Sequence, residues 1–139
     1  MRYLLDTHAA IWLMTKDDRL PGDLLESALY CEDDFSVSEA SLIEIVQLQQ
    51  GGRIDTMHRP AIVRKTLADD WNIGIQPIST DILERLYDIP IPETTKGKHS
   101  DPFDRIIIST AIKRNMTLIS ADSKFPWYAD NCGLKLLAI

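Results

Sequence analysis

The sequence predicts an α/β fold built on a doubly wound parallel sheet. Short apolar segments alternate with helical patterns along 139 residues, a length that suits one domain with a sizeable core. Hydrophobic residues make up 45% of the chain, and no apolar segment approaches the length of a membrane span. Acidic residues recur where predicted strands end and predicted helices begin. In a doubly wound sheet these positions share one edge, where ligands bind.

The first half of the chain begins with a predicted βα unit. An apolar strand over residues 2–5 ends directly in Asp6, and a buried helix follows over residues 9–14. After a second helix over residues 23–29, a strand is predicted at residues 35–37. Ser38 then caps a helix that runs from Glu39 to about Gln50 and ends at a Gly-Gly pair.

Glu44 stands out within this helix. Its neighbours one turn away are Ala40 and Leu48, so a carboxylate interrupts an otherwise apolar line. Burying an ionised carboxylate there is costly without a cation. Glu39, by contrast, lies in the first turn, where the helix dipole explains it. We therefore take Glu44 as a candidate functional residue.

The second half repeats the alternation of helix and strand. A helical pattern from residue 59 leads into a third strand over residues 72–78 and a helix over residues 81–87. Residues 89–99 are predicted as the longest irregular stretch, either a plain connector or a loop that touches substrate.

The most distinctive segment begins at residue 100. Ser100 or Asp101 is predicted to cap a helix with Pro102 at its first position and an acid, Asp104, in its first turn. The helix is expected to run to about residue 114 and to end in a left-handed cap at Asn115. A buried strand over residues 116–119 leads to another acid at residue 122, and the last strand covers residues 135–139.

Four acids should therefore converge at one edge of the sheet: Asp6, Glu44, Asp104 and Asp122. Each alone could be a cap or a turn residue. Together they would repel one another unless a hard cation lay between them. Carboxylate ligands without Cys or His favour Mg²⁺, with Mn²⁺ as a substitute, over zinc. The three histidines form no zinc pattern.

The formal net charge of −6 argues against a broad basic face for nucleic acid. It does not exclude a nuclease, because a bound cation offsets clustered acids, and basic side chains such as Arg105 could contact phosphates. Most of the basic residues are expected to be solvated. The N-terminus reaches Asp6 too early for a signal peptide, and Cys31 and Cys132 are isolated, so a cytoplasmic protein is expected.

Four segments carry a family resemblance. They are Leu4-Leu5-Asp6-Thr7-His8, Ser38-x-x-Ser41-Leu42-x-Glu44, His99-x-Asp101-Pro102-Phe103-Asp104-Arg105 and Ile119-Ser120-Ala121-Asp122. In this order they resemble the signatures of PIN-domain nucleases, most closely of VapC-type toxins. The Asp-Pro-Phe-Asp-Arg run and the Ala-Asp turn are the most specific parts. The resemblance implies a PIN-like three-layer α/β/α sandwich with a parallel five-stranded sheet in the order 3-2-1-4-5.

The resemblance also implies metal-dependent cleavage of RNA and inhibition by a cognate antitoxin. We expect that antitoxin to place an Arg of its C-terminal segment among the acids. A homodimer is expected as well. Carried over by position, the catalytic and metal-binding acids are Asp6, Glu44, Asp104 and Asp122. Thr7, Ser120 and Arg105 are candidates for substrate binding, and Asp101 is interpreted as a helix cap near the ligands.

The expected mechanism uses metal-activated water, since the sequence contains no nucleophilic triad. Two phosphoryl-transfer alternatives fit poorly. A haloacid-dehalogenase-type phosphatase needs a second acid where this chain has His8, and a phosphate-receiving signalling domain needs an acidic pair after the first strand. A catalytically silent interaction module with the same fold remains open, because only an assay separates it from an enzyme.

Overall fold

The computed structural model describes residues 1–54, 58–94, 97–98 and 101–139. The predicted roles of His99 in the motif and of Ser100 as an alternative cap lie outside the described residues. The strands are β1 (Arg2–Leu5), β2 (Asp34–Ser38), β3 (Gly74–Gln76), β4 (Glu93–Thr94), β5 (Gly97–Lys98), β6 (Thr117–Ser120) and β7 (Lys135–Ala138). The α-helices are α1 (Thr7–Thr15), α2 (Gly22–Leu29), α3 (Glu39–Gln50), α4 (Pro60–Lys65), α5 (Thr80–Asp88), α6 (Pro102–Lys113) and α7 (Pro126–Cys132), and a π-helical turn (Thr66–Asp70) continues α4.

Five strands form one parallel sheet in the order β3-β2-β1-β6-β7. Counted along the chain within this sheet, the order is 3-2-1-4-5, which confirms the order implied by the resemblance. In the register of the central strands, Leu5 of β1 pairs with Val37 of β2 and with Ile119 of β6. The ends of β1 and β6 therefore lie side by side.

The sheet has a hydrophobic core on each face. Leu5 and Ile119 pack into one core with residues of α1, α2 and α4, whereas their neighbours Leu4 and Leu118 pack into the other with residues of α6 and α7. Successive side chains of a strand point to opposite faces, so both faces of these strands are covered. This arrangement is the three-layer α/β/α sandwich.

Short polar side chains set where the helices begin. Asp6 accepts a hydrogen bond from Ala9 N at the start of α1, and Ser38 accepts one from Ala40 N at the start of α3. Asp101 accepts from the backbone N–H groups of residues 103 and 104 at the start of α6. After α6, Asn115 adopts the predicted left-handed conformation, with φ of 56°. These caps hold the helix starts at the edge where the strands end.

Two stretches differ from the sequence expectation. The predicted irregular stretch of residues 89–99 contains a short antiparallel pair, β4 and β5, in which Glu93 pairs with Lys98. The third strand is shorter than predicted, because only residues 74–76 pair with β2. No helix among the residues that the structure describes is both long and apolar enough to cross a membrane.

Candidate metal centre

A pocket of about 310 Å³ opens at the edge of the sheet where β1 and β6 end. It brings together the four predicted acids, and each comes from a different element. Asp6 follows β1, Asp122 follows β6, Asp104 lies in the first turn of α6, and Glu44 lies in the second turn of α3. The other lining residues are Thr7, His8, Trp12, Asp101, Ala121 and Lys124.

Asp6 is the most buried of the four acids, with 7% of its surface exposed. Its Oδ1 accepts from Ala9 N at 2.8 Å, and its Oδ2 accepts from Ser120 Oγ at 2.5 Å. Burial raises the pKa of Asp6 and outweighs these bonds, which favour the ionised form. Asp122 raises the pKa further, whereas His8 lowers it.

Glu44 is oriented by α1. Thr7, which is buried, donates from Oγ1 to Oε1 of Glu44, and the same hydroxyl lies 3.1 Å from Ser41 Oγ. The hydroxyl thus ties the start of α1 to the pocket-facing side of α3. The apolar neighbours of Glu44 noted in the sequence are consistent with this placement, because the carboxylate is half-buried at the pocket wall.

Asp104 shows the strongest electrostatic effect in the pocket. Its pKa is raised from 3.8 to about 7, first by burial and then by the negative charges of Asp101, Asp122 and Glu44. The ammonium group of Lys124 acts in the opposite direction. Like charges gathered in one partly buried crevice therefore make ionisation of Asp104 unfavourable when no cation is bound.

Asp122 and Lys124 form the outer part of the site. Asp122 Oδ1 accepts from Lys124 N at 2.8 Å, and Lys124 Nζ lies 3.6 Å from Asp122 Oδ2 and 4.0 Å from Asp104 Oδ2. The Lys124 side chain is 49% exposed. Lys124 thus contributes a half-exposed positive charge near two of the predicted ligands.

Ser120 connects the two acids at the strand ends. Its Oγ donates to Asp6 Oδ2 and accepts from Asp122 N at 3.0 Å, and the residue is 2% exposed. Ser120 is a candidate for substrate binding, and in the structure its hydroxyl bonds to both acids and is not part of the pocket lining, so a contact with substrate stays a prediction. Thr7 lines the pocket itself, so a contact with substrate stays a prediction for that residue.

Arg105, a candidate for substrate binding, is held by the protein's own groups in this structure, so a contact with substrate stays a prediction. Arg105 is 8% exposed, and its guanidinium is turned into the protein. It donates to the carbonyl oxygens of Ile89 at 2.7 Å and Pro90 at 3.1 Å, and it lies 3.3 Å from the Tyr128 hydroxyl. Desolvating a guanidinium is costly, and these bonds offset that cost. Arg105 therefore fastens the segment after α5 to α6.

The donor set fits a hard divalent cation. The lining has five carboxylates, the hydroxyl of Thr7 and the imidazole of His8, and none of its residues is a Cys. As placed, no three Asp, Glu, His or Cys side chains within the described ranges lie close enough together to hold one ion. The hydrogen bonds explain this spacing, since Asp6, Glu44 and Asp122 are each held by donors of the protein. A cation would have to draw these carboxylates inward.

Three lining residues have no site role assigned from the sequence: His8, Trp12 and Lys124. His8 and Trp12 lie one turn apart on α1, so their spacing of four residues was a signal that they share a face. Lys124 gave no such signal, because its position depends on how the turn after β6 folds back over the pocket.

A larger cavity, of about 430 Å³, lies at the opposite edge of the sheet and is lined by Asp33 and Trp71 among others. There Asp33 pairs with the N-terminal amino group at 3.1 Å and accepts from Ser27 Oγ at 2.8 Å. These partners lower the pKa of Asp33. The charge of Asp33 is therefore compensated within the protein.

Comparisons with known proteins agree with this fold. A family model of the PIN domain matches residues 3–131. Among solved structures, the chain is similar to VapBC2 from Rickettsia felis, which was solved bound to a DNA fragment from the VapBC2 promoter. The identity is 21% and the TM-score is 0.69, and the match covers 99% of this chain and 98% of that chain. It is similar to VapBC-1 from nontypeable Haemophilus influenzae at 18% identity and a TM-score of 0.66, with coverage of 99% and 98%.

VapBC-5 of Mycobacterium tuberculosis, from the VapBC family of toxin-antitoxin systems, is a further similar structure, with 17% identity, a TM-score of 0.60, and coverage of 99% of this chain and 98% of that chain. At these identities the likeness shows a shared fold. Among curated proteins, no sequence matches this one significantly.

Proposed function

Because this chain belongs to the PIN domain family, we propose that it is a VapC-type endoribonuclease that depends on Mg²⁺ or Mn²⁺. The observation that carries the proposal is the single pocket lined by Asp6, Glu44, Asp104 and Asp122. Burial and then the neighbouring carboxylates raise the pKa of Asp104, so its ionised form is favoured only when positive charge lies nearby. A hard cation offsets that repulsion and suits carboxylate ligands.

In this proposal Asp6, Asp104 and Asp122 hold the cation, and Glu44 orients the attacking water or takes its proton. A divalent cation held by these acids would supply positive charge to the phosphodiester and would lower the pKa of a coordinated water. Ser120 fixes the carboxylate of Asp6 through the short hydrogen bond at 2.5 Å. Thr7 fixes Glu44 in the same way. Hydrogen bonds therefore hold both carboxylates in one orientation before the reaction begins.

We propose RNA as the substrate and a cognate antitoxin as the partner. The solved structures that resemble this chain include toxin–antitoxin complexes, which supports a partner of that kind. The acidic pocket favours an antitoxin whose C-terminal segment carries an Arg, because a guanidinium can bond two carboxylate oxygens at once. A homodimer in the cytoplasm is part of the same proposal.

The test is cleavage of a pool of cellular RNAs, with and without Mg²⁺ or Mn²⁺, followed by sequencing of the new ends. We expect metal-dependent ends at a restricted set of sites. Asp104→Asn should abolish them, whereas Asp69→Asn should not, since Asp69 is an exposed acid on the π-helical turn. Cleavage by Asp104→Asn, or cleavage by the wild-type chain at the same rate with and without the metal, would count against the proposal. A chain that cuts no RNA would favour a silent interaction module.

A further inference from the structure

We propose that His8, Trp12 and Arg19 form a stacking wall that receives a nucleobase of the RNA beside the acidic pocket. The inference rests on the proposed function and names how the substrate is held. His8 and Trp12 both line the pocket with the four acids, and their ring centroids are 6.2 Å apart with an angle of 34° between the planes. Two neighbouring aromatic rings therefore lie next to the candidate metal centre.

Arg19 extends this wall outward. Its Cζ lies 4.9 Å from the centroid of the Trp12 ring, so the guanidinium stacks on the indole. Asp17 fixes the guanidinium, because Nε donates to Oδ1 at 3.0 Å and Nη2 donates to Oδ2 at 2.8 Å. Both Arg19 and His8 are exposed. A planar cation held in one orientation at the surface loses little entropy when a base stacks on it.

The negative charge of the pocket makes base stacking a useful way to bind RNA there. The sequence has a net charge of −6, and the lining of the pocket contains five carboxylates and one lysine. Phosphates approaching this pocket are repelled wherever the cation does not offset the acids. Base stacking on aromatic or guanidinium planes does not depend on the phosphate charge and tolerates any base. The wall therefore supplies binding at the place where backbone contacts are least favourable.

Affinity for three eight-nucleotide strands tests the wall: oligouridylate, oligoadenylate and an abasic ribose-phosphate strand. Binding of the labelled strands to Asp104→Asn in Mg²⁺ is measured by fluorescence anisotropy. We expect the base-containing strands to bind roughly five- to hundredfold more tightly than the abasic strand, as stacking of one base would give. His8→Ala and Arg19→Ala should each reduce this preference, and His8→Phe should retain it.

Arg64→Ala is the matched control. It removes the same charge as Arg19→Ala, but Arg64 is an exposed residue of α4 and not part of the wall, whereas Arg19 lies over the Trp12 ring. Arg19→Lys separates charge from planarity. Lysine keeps the positive charge, but it has no planar guanidinium to stack on a base or to make two hydrogen bonds to Asp17. We expect it to behave like Arg19→Ala. Melting temperatures check that the variants fold. We expect them to fold, because the substituted side chains are exposed.

The inference is overturned if His8→Ala and Arg19→Ala keep the full preference for base-containing strands, or if they weaken all three strands equally. Failure of the proposed function looks different. In that case the wild-type chain would not cut RNA in Mg²⁺ or Mn²⁺, while the preference for bases would still be measurable on the same protein.

Discussion

Asp104 bears the electrostatic cost of a partly buried, acid-rich pocket. In the metal-free protein its pKa is about 7, against 3.8 for a free carboxyl, mainly because of burial and the neighbouring charge of Asp101. Between these values the folded state keeps a proton that the unfolded state has lost. Since the folded state binds more protons there, its stability falls as the pH rises from about 4 to about 7.

The first prediction is that Asp104→Asn removes this loss of stability. In EDTA, the wild-type free energy of unfolding should fall between pH 5 and pH 8, and that of Asp104→Asn should fall less, because the amide does not titrate. Urea denaturation at both pH values measures the difference. Asp69→Asn, an exposed acid elsewhere, should keep the wild-type pH dependence. An equal loss of stability in Asp104→Asn would contradict this account of the pocket.

The second prediction concerns Lys124, whose Nζ lies 3.6 Å from Asp122 Oδ2. A cation bound among the acids has to share or displace this positive charge, so Lys124→Met should bind Mn²⁺ more tightly, by a few fold given the exposure of the side chain. Calorimetric titration measures the affinity. Lys113→Met, which removes the same charge from the far end of α6, should leave the affinity unchanged. Equal affinities in all three proteins would show that Lys124 does not compete with the metal.

At the scale of elements, α6 shows what local signals could predict. Asp101, Pro102 and Asp104 marked its start in the sequence, and the structure begins the helix at Pro102 with Asp101 as cap. The burial of Arg105 could not be predicted in this way. It depends on carbonyl oxygens of residues 89 and 90, which reach α6 only through tertiary packing. The pair of short strands β4 and β5 likewise lacked a turn signal strong enough to identify it.

The third prediction separates the cap role of Asp101 from a role at the metal. Asp101 Oδ1 accepts from the N–H groups of Phe103 and Asp104, both at 3.0 Å. Asp101→Ala should cost about 1 kcal/mol of stability through loss of the cap. Asp101→Ser keeps a capping oxygen without the charge, so it should retain most of the stability and most of the activity. Thermal melts and RNA cleavage check this. An inactive but stable Asp101→Ser would assign the carboxylate to the metal instead.

At the scale of the whole molecule, the strand order creates the site. Because β1 pairs directly with β6, the acids that follow them meet although they are 116 residues apart in sequence. The periodicity of apolar residues predicted the strands, but pairing between distant strands is not a local property, and the order came from the family resemblance. The positions of Trp12 and Lys124 on the pocket wall also depended on this assembly.

The fourth prediction concerns the partner of the assembled pocket. The reading frame adjacent to the one for this chain should encode a small protein whose C-terminal part mixes apolar residues with Arg. It should co-purify with this chain and stop cleavage, because the guanidinium supplies the charge that the cation otherwise provides. Excess Mg²⁺ should weaken the complex, and changing that Arg to Ala should restore cleavage. If the affinity of the inhibitor depended neither on the metal nor on the four acids, the inhibitor would bind elsewhere on the surface.

The central claim is that the four carboxylates converge on one cation site, and crystals soaked in Mn²⁺ test it most directly. An anomalous difference map recorded near the manganese absorption edge locates each bound ion. We expect a peak between Asp6, Asp104 and Asp122, with these carboxylates drawn inward from the positions that their hydrogen bonds now hold. No peak in this pocket at millimolar Mn²⁺, or a peak only at other surface acids such as Asp33, would contradict the claim.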